Sequence, residues 1–131
     1  MNNTNPAQDP QNAHSMKMFY NVQKIYLYRD PIDFRKAING LALIVEQEMQ
    51  LNPFDAAIFV FCNKGRNKIK ALYWDKTGFC LWYKRLEKQT FKWPKNQPNK
   101  TLSLSEPQWN ALLSGLSIVG HQPLKLPSLS S

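Results

Sequence analysis

Lysines and arginines are interleaved with aromatic rings through the middle of this chain. Residues 61–100 hold eleven basic side chains against two acids, Asp75 and Glu87, and so carry +9 of a chain whose net charge is +8. The rest of the sequence balances to −1. Charge confined to one segment makes a local field that favours a polyanion, whereas ordinary surface lysines are spread more evenly. The chemistry on offer is counterion release from phosphates by the cations and stacking of Trp or Tyr on bases or sugars. If residues 68–74 form a strand, alternation puts Lys68, Lys70, Leu72 and Trp74 on one face and Ile69, Ala71 and Tyr73 on the other. On the next strand Cys80, Trp82 and Lys84 share a face, opposite Phe79, Leu81, Tyr83 and Arg85. The turn of residues 64–70, which includes Arg66, also suits a β-ribbon entering a groove. Strand lysines also blunt sheet edges, and Trp or Tyr also fill cores, so the same pattern has a purely structural explanation.

A second basic group, Arg35 and Lys36 with Asn39, falls at the expected start of a helix, where backbone N–H groups and the helix dipole favour an anion. The same spacing also describes a solvated helix face.

Catalytic sets are poorly supplied. Metal-assisted phosphoryl transfer needs about three converging carboxylates. Asp30 and Asp33 read as helix-start residues, Asp75 opens a turn and Glu87 sits among cations. The two histidines, His14 and His121, lie in the polar ends, which leaves no Ser-His-Asp or Cys-His set in the middle. The five glycines build no phosphate-cradling loop. Cys62 and Cys80 fall in strand-like stretches without a CxxC spacing and read as free thiols. The expectation is a non-enzymatic protein with no cofactor and no metal.

These groups need a scaffold. At 131 residues the chain suits one domain. Residues 1–18 are rich in Asn, Gln and Pro and read as a disordered leader without a secretory h-region, and residues 121–131 as a flexible tail. The longest apolar run, residues 56–62, is far short of the ~20 residues that span a bilayer. The expected location is the cytosol. Lys24–Tyr28 alternates as a first strand, and a helix follows with Asp30 as N-cap and Phe34, Ile38, Leu41, Val45 and Met49 as its buried stripe. Gly40 within that stripe implies a close backbone contact. Ala57–Cys62, residues 68–74 and residues 79–86 read as strands joined by tight turns, with residues 90–93 as a short edge strand stopped by Pro94. Residues 95–100 form a polar loop, and Ser105 caps a last helix with Trp109, Leu112, Leu113 and Leu116 on its apolar side. Residues 19–120 are thus expected to form one α+β domain. Its twisted antiparallel sheet, in the order β-α-β-β-β-α, is covered by two helices on one face.

Several of these stretches resemble a known family. Asp33-Phe34-Arg35-Lys36 with Asn39-Gly40-Leu41-Ala42 resembles its "DMRKGxxGLA" opening, and Ile58-Phe59-Val60-Phe61 its "LFVF". Residues 69–75, Gly78-Phe79 and Lys84-Arg85-Leu86-Glu87 resemble its "IKILxxDGxGxxLxxKRLE". Phe91-Lys92-Trp93-Pro94 and residues 112–116 resemble its "FxWP" and "LLxGL". The family is that of TnpB-type accessory proteins, products of the second open reading frame in elements of the insertion-sequence-66 family. They are distinct from the RNA-guided nuclease that shares the TnpB name. Ala37 stands where the family often has Gly, and Cys62-Asn63-Lys64-Gly65 replaces a commonly Arg-rich turn. The resemblance implies a non-catalytic partner of a separate, larger transposase. DNA, as transposon ends or non-specific duplex, is the expected ligand. Arg35, Lys36, Arg66, Lys68, Lys70, Lys84 and Arg85 are the expected phosphate contacts, and Trp74 and Trp82 the stacking groups. The alternative is an adaptor that binds the transposase without touching DNA.

Overall fold

The computed structural model describes residues 24–118. The expected leader at 1–18, the tail at 121–131, both histidines and the ends of the expected 19–120 domain lie outside them. Five strands and two helices follow in the order β1 (Lys24–Tyr28), α1 (Ile38–Gln47), β2 (Ala57–Cys62), β3 (Lys68–Asp75), β4 (Gly78–Arg85), β5 (Thr101–Leu104) and α2 (Glu106–Leu113). They form the expected α+β architecture, with one sheet in the spatial order β4-β3-β2-β1-β5.

The sheet is mixed, not wholly antiparallel. β1 runs parallel to β2, while β2–β3, β3–β4 and β1–β5 are antiparallel. Parallel neighbours need a long crossover, and the segment between β1 and β2 supplies one that carries α1. The two tight turns, after β2 and after β3, do join antiparallel partners as the turn chemistry implies.

The two helices cover opposite faces, which corrects the expectation of a single covered face. On one side Ile25, Leu27, Ile58, Val60, Ile69 and Ala71 pack under Trp109 and Leu112 of α2. On the other, Tyr28, Phe59, Phe61 and Leu72 pack under Leu41 and Val45 of α1. Every residue of β2 is buried because it is central and covered twice.

Further differences concern where elements begin. α1 starts at Ile38, so Asp30 is not its N-cap; that position falls to Ala37, which has no side-chain cap. The preceding segment is held differently. The Ile32 N–H donates to the Cys62 carbonyl at 3.0 Å, and the Asp33 carboxylate accepts from the Arg35 N–H at 2.9 Å. A Cβ on Gly40 would meet the Lys36 side chain at 3.4 Å, so its near neighbour is that aliphatic stem and not backbone. Residues 90–93 form no strand; Phe91 and Trp93 instead turn into the α2-side core, and the Trp93 indole donates to the Arg29 carbonyl at 3.0 Å. The fifth strand, β5, comes from the segment just before α2.

α2 begins as its sequence implies. The Ser105 hydroxyl accepts from the Gln108 N–H at 3.2 Å, and the Gln108 side chain accepts from the Ser105 N–H at 2.8 Å. Gly115, at φ +80°, ends the helix: the Gly115 and Leu116 N–H groups donate to the Leu112 and Ala111 carbonyls. Leu116 is consequently exposed and not part of the apolar stripe.

Burial pushes the Cys62 thiol up to about 12 from its ordinary 9.0. Native protein at pH 8 should therefore leave Cys62 unmodified by a thiol reagent until denaturant is added; labelling of Cys62 in the folded state, read by peptide mass, is the contrary result. The folded state holds this proton more tightly than the unfolded one. The associated stability is complete below pH 9.0 and is lost as pH rises toward 12.

Candidate nucleic-acid interface

Pairing of β3 with β4 decides which charges meet. Lys68 lies opposite Arg85, Lys70 opposite Tyr83, Leu72 opposite Leu81 and Trp74 opposite Phe79, all on the α1 face. Ile69 opposite Lys84, Ala71 opposite Trp82 and Tyr73 opposite Cys80 belong to the α2 face. Lys84 and Arg85, adjacent in sequence, therefore serve opposite sides of the sheet.

On the α1 face Lys70 is an internal strut. It is only 9% exposed, and its ammonium donates to the Phe34 carbonyl at 2.7 Å and the Lys36 carbonyl at 2.8 Å. The same ammonium lies 4.6 Å from the centroid of the Phe34 ring. Burial pulls its pKa below the ordinary lysine value, against the opposing pull of Asp33. Lys70 thus ties the segment before α1 to the sheet and places Arg35 and Lys36 beside β3 and β4, instead of offering its own charge outward.

The outward charges are Arg35, Lys36, Lys68 and Arg85. The Arg35 side chain is 91% exposed and grips Asp33, with Nε–Oδ2 at 3.0 Å. This guanidinium holds the Asp33 carboxyl well below the usual carboxylate range. Arg85 is similarly paired with Glu87 at 2.8 Å. Lys36 is exposed and Lys68 half-buried, and among the described residues neither has an ion-pair partner. Arg66 stands in the β2–β3 turn at φ +60°. That turn is shaped by Asn63, whose side-chain oxygen accepts from the N–H groups of Asn67 at 3.1 Å and Lys68 at 3.0 Å.

Three expected contacts are placed elsewhere. The Lys84 ammonium donates to the Leu113 carbonyl at 2.9 Å, closing the negative end of α2. Trp82 packs on the α2-side core, 6.1 Å from the Trp109 ring. Trp74 packs with Phe54 at 4.9 Å and Phe79 at 5.0 Å, on the α1 face but at the other end of β3, about 20 Å from Lys68 along the strand. The sequence reading missed Tyr83, which it set opposite Trp82. The structure puts Tyr83 beside Lys68, Lys70 and Arg85, 50% exposed and meeting the Phe34 ring at 5.9 Å. Its period-2 relation to Arg85 was the available signal.

No three His, Cys, Asp or Glu side chains among the described residues lie close enough to hold a metal ion. A cleft of about 550 Å³ between the end of α1 and residues 98–101 is crossed by the Glu48–Lys100 ion pair at 3.1 Å and is separate from the basic face. Among the described residues no helix is long and apolar enough to cross a membrane.

A family model described as "IS66 Orf2 like protein" matches residues 23–123. The protein y4jC of Sinorhizobium fredii, described as uncharacterized, is 32% identical over 107 residues, covering 80% of this chain and 91% of its own length. A second protein of that organism, y4hO, also described as uncharacterized, is 32% identical over 93 residues, covering 71% of this chain and 80% of its own. No solved structure matches. The chain belongs to the IS66 Orf2-like family, a family of insertion-sequence accessory proteins associated with transposition.

Proposed function

We propose that this accessory protein holds DNA on the α1 face of its β3–β4 ribbon and cooperates there with the separate transposase of its element. The observation that carries the reading is the convergence of Arg35, Lys36, Lys68 and Arg85 around Tyr83. Two sequence-distant basic groups are joined by the buried Lys70. Cations gathered from a strand pair and a helix-leading segment form a surface that can follow a phosphate backbone, and the acids beside them are already engaged by Arg35 and Arg85. Release of those two arginines from Asp33 and Glu87 would accompany phosphate binding.

The test is a fluorescence anisotropy titration with element-end and scrambled duplexes at several salt concentrations, comparing the native chain with the Lys68→Ala/Arg85→Ala double variant. Affinity should fall about tenfold on both duplexes, and the log–log salt slope should flatten by about two. Unchanged affinity and slope in the double variant would remove this face as the DNA site. A native preference for the element ends would add base or shape readout to the backbone contacts.

A second reading, an adaptor that meets the transposase without contacting DNA, is favoured by Phe54. This ring is 53% exposed and packs edge-on and tilted against the Trp74–Phe79 pair, away from the basic cluster, as an interface anchor would be. Co-purification with transposase that is lost in Phe54→Ala, together with no DNA binding at low salt, would select that reading.

A further inference from the structure

Tyr83 presents an exposed aromatic ring on the basic face. Half of its surface is exposed, with Leu81 on one side of it along β4 and cationic groups across from it and on the other side. Lys70 lies across from it on β3, and Arg85, two residues along β4, lies opposite Lys68. Two same-face residues on one strand are separated by about 6–7 Å, so the backbone positions of Tyr83 and Arg85 are spaced by roughly one nucleotide step.

The ring is also held firmly. Phe34 meets it at 5.9 Å with the planes at 88°, an edge-to-face contact in which at most one face of Tyr83 is used. Phe34 is anchored in turn, by the Lys70 ammonium over its ring and the bond from that ammonium to its carbonyl. A rigid phenol with a free face, ringed by cations, is the arrangement on which an unstacked base can lie while its phosphates are held. Duplex DNA offers no such base, because its base faces are covered by their neighbours and only the edges reach the grooves. Stacking on Tyr83 requires an unpaired nucleotide.

We infer that this face takes single-stranded DNA in preference to duplex, with a base stacked on Tyr83 and its flanking phosphates held by Lys36, Lys68 and Arg85. The inference rests on the DNA-binding reading of the same face and adds which form of DNA it takes. Arg35, once released from Asp33, extends the phosphate track toward α1.

The test compares the full chain with Tyr83→Ala and Tyr83→Trp in anisotropy titrations of a single-stranded oligodeoxynucleotide, the matched duplex and the matched single-stranded RNA. The native chain should bind the single-stranded DNA most tightly. Tyr83→Ala should lose about five- to a hundredfold of that affinity with the salt slope unchanged, because stacking releases no counterions, and its duplex binding should hardly move. Tyr83→Trp should retain the affinity, which shows that a ring is what the position supplies. A 2-aminopurine base in the oligonucleotide should be quenched on binding the native chain and not on binding Tyr83→Ala. Equal losses on single strand and duplex, or no loss on either, would overturn the inference while leaving DNA binding by this face in place. Tighter binding of the RNA would overturn the assignment to DNA. Failure of the native chain to bind any of the three at low salt would overturn the DNA-binding reading and this inference together.

Discussion

Lys70→Met is expected to destabilise the protein by about 2–3 kcal/mol and to weaken DNA binding, although Lys70 is not an outward charge. Methionine keeps an apolar stem of similar length, so packing beside Phe34 and Leu72 survives. The loss is the donor to the Phe34 and Lys36 carbonyls, bonds of 2.7 and 2.8 Å. Two carbonyls at the foot of α1 are left without it, and α1 has no side-chain N-cap to compensate. The segment that presents Arg35 and Lys36 should loosen, which is readable as faster amide exchange at Lys36, whose N–H now bonds the Asp33 carbonyl at 3.0 Å. Urea midpoints give the stability change, and equal midpoints would refute the strut. The pH dependence separates amine from charge. Burial lowers the folded pKa of Lys70 below its ordinary 10.5, so between the two values the unfolded state binds more protons. Stability conferred by this residue therefore rises as pH climbs through the folded value to 10.5. A neutral amine still donates to both carbonyls, so the gap between native and Lys70→Met should widen toward alkaline pH. A gap that closes there would mean that the charge, and not the donor, holds the segment.

Trp109→Ala should have the larger effect on stability and the smaller one on DNA. Trp109 is 2% exposed and is the largest of the fully buried or nearly buried side chains of α2. Removing such an indole typically costs about 3–5 kcal/mol, which in a domain of this size lowers Tm by about 15–30 °C. α2 has eight residues, too few to persist in water on its capping box alone, and is held by docking on the sheet. Its detachment would strip cover from Ile25, Leu27, Ile58 and Val60 and remove the carbonyl that Lys84 closes. Yet the basic cluster lies on the other face. Below its own melting range the variant should bind DNA with a salt slope like that of the native chain. A thermal melt with a matched titration reads both, and a flattened slope in folded Trp109→Ala would place the charges that matter on the α2 face.

What was readable in the residues was mostly local. The two turns, the pairing of β2, β3 and β4, the Ser105 capping box and the apolar β2 run follow from contacts a few residues apart. The same local logic misplaced the start of α1. Asp30, Pro31 and Asp33 make a credible helix opening, but the pairing of Ile32 with Asn63 holds this stretch extended along β2 instead. Neither the parallel β1–β2 pair nor β5 has a nearby partner in sequence to announce it. An unbroken buried β2 is what cover on both faces looks like, and that hint pointed away from two helices on one side. The alternation of the basic strands was also legible. What it could not disclose is that the carbonyls of Phe34 and Lys36 sit within reach of Lys70, turning one of the expected phosphate contacts into a support for others. Tyr83 was passed over because an aromatic residue in a strand is so often core, and only the position of β4 at the sheet edge leaves it half in solvent.

The placement of β1 between β2 and β5 has a consequence for how the chain is made. Ile25 pairs with Ile58 on one side and with Leu104 on the other. Synthesis runs from the first strand to the last, so the β2–β3–β4 meander can form on the ribosome while β1 still has one side unpaired. The earliest strand then waits for nearly the latest one. Until β5 emerges, the nascent protein carries an open, association-prone edge on β1.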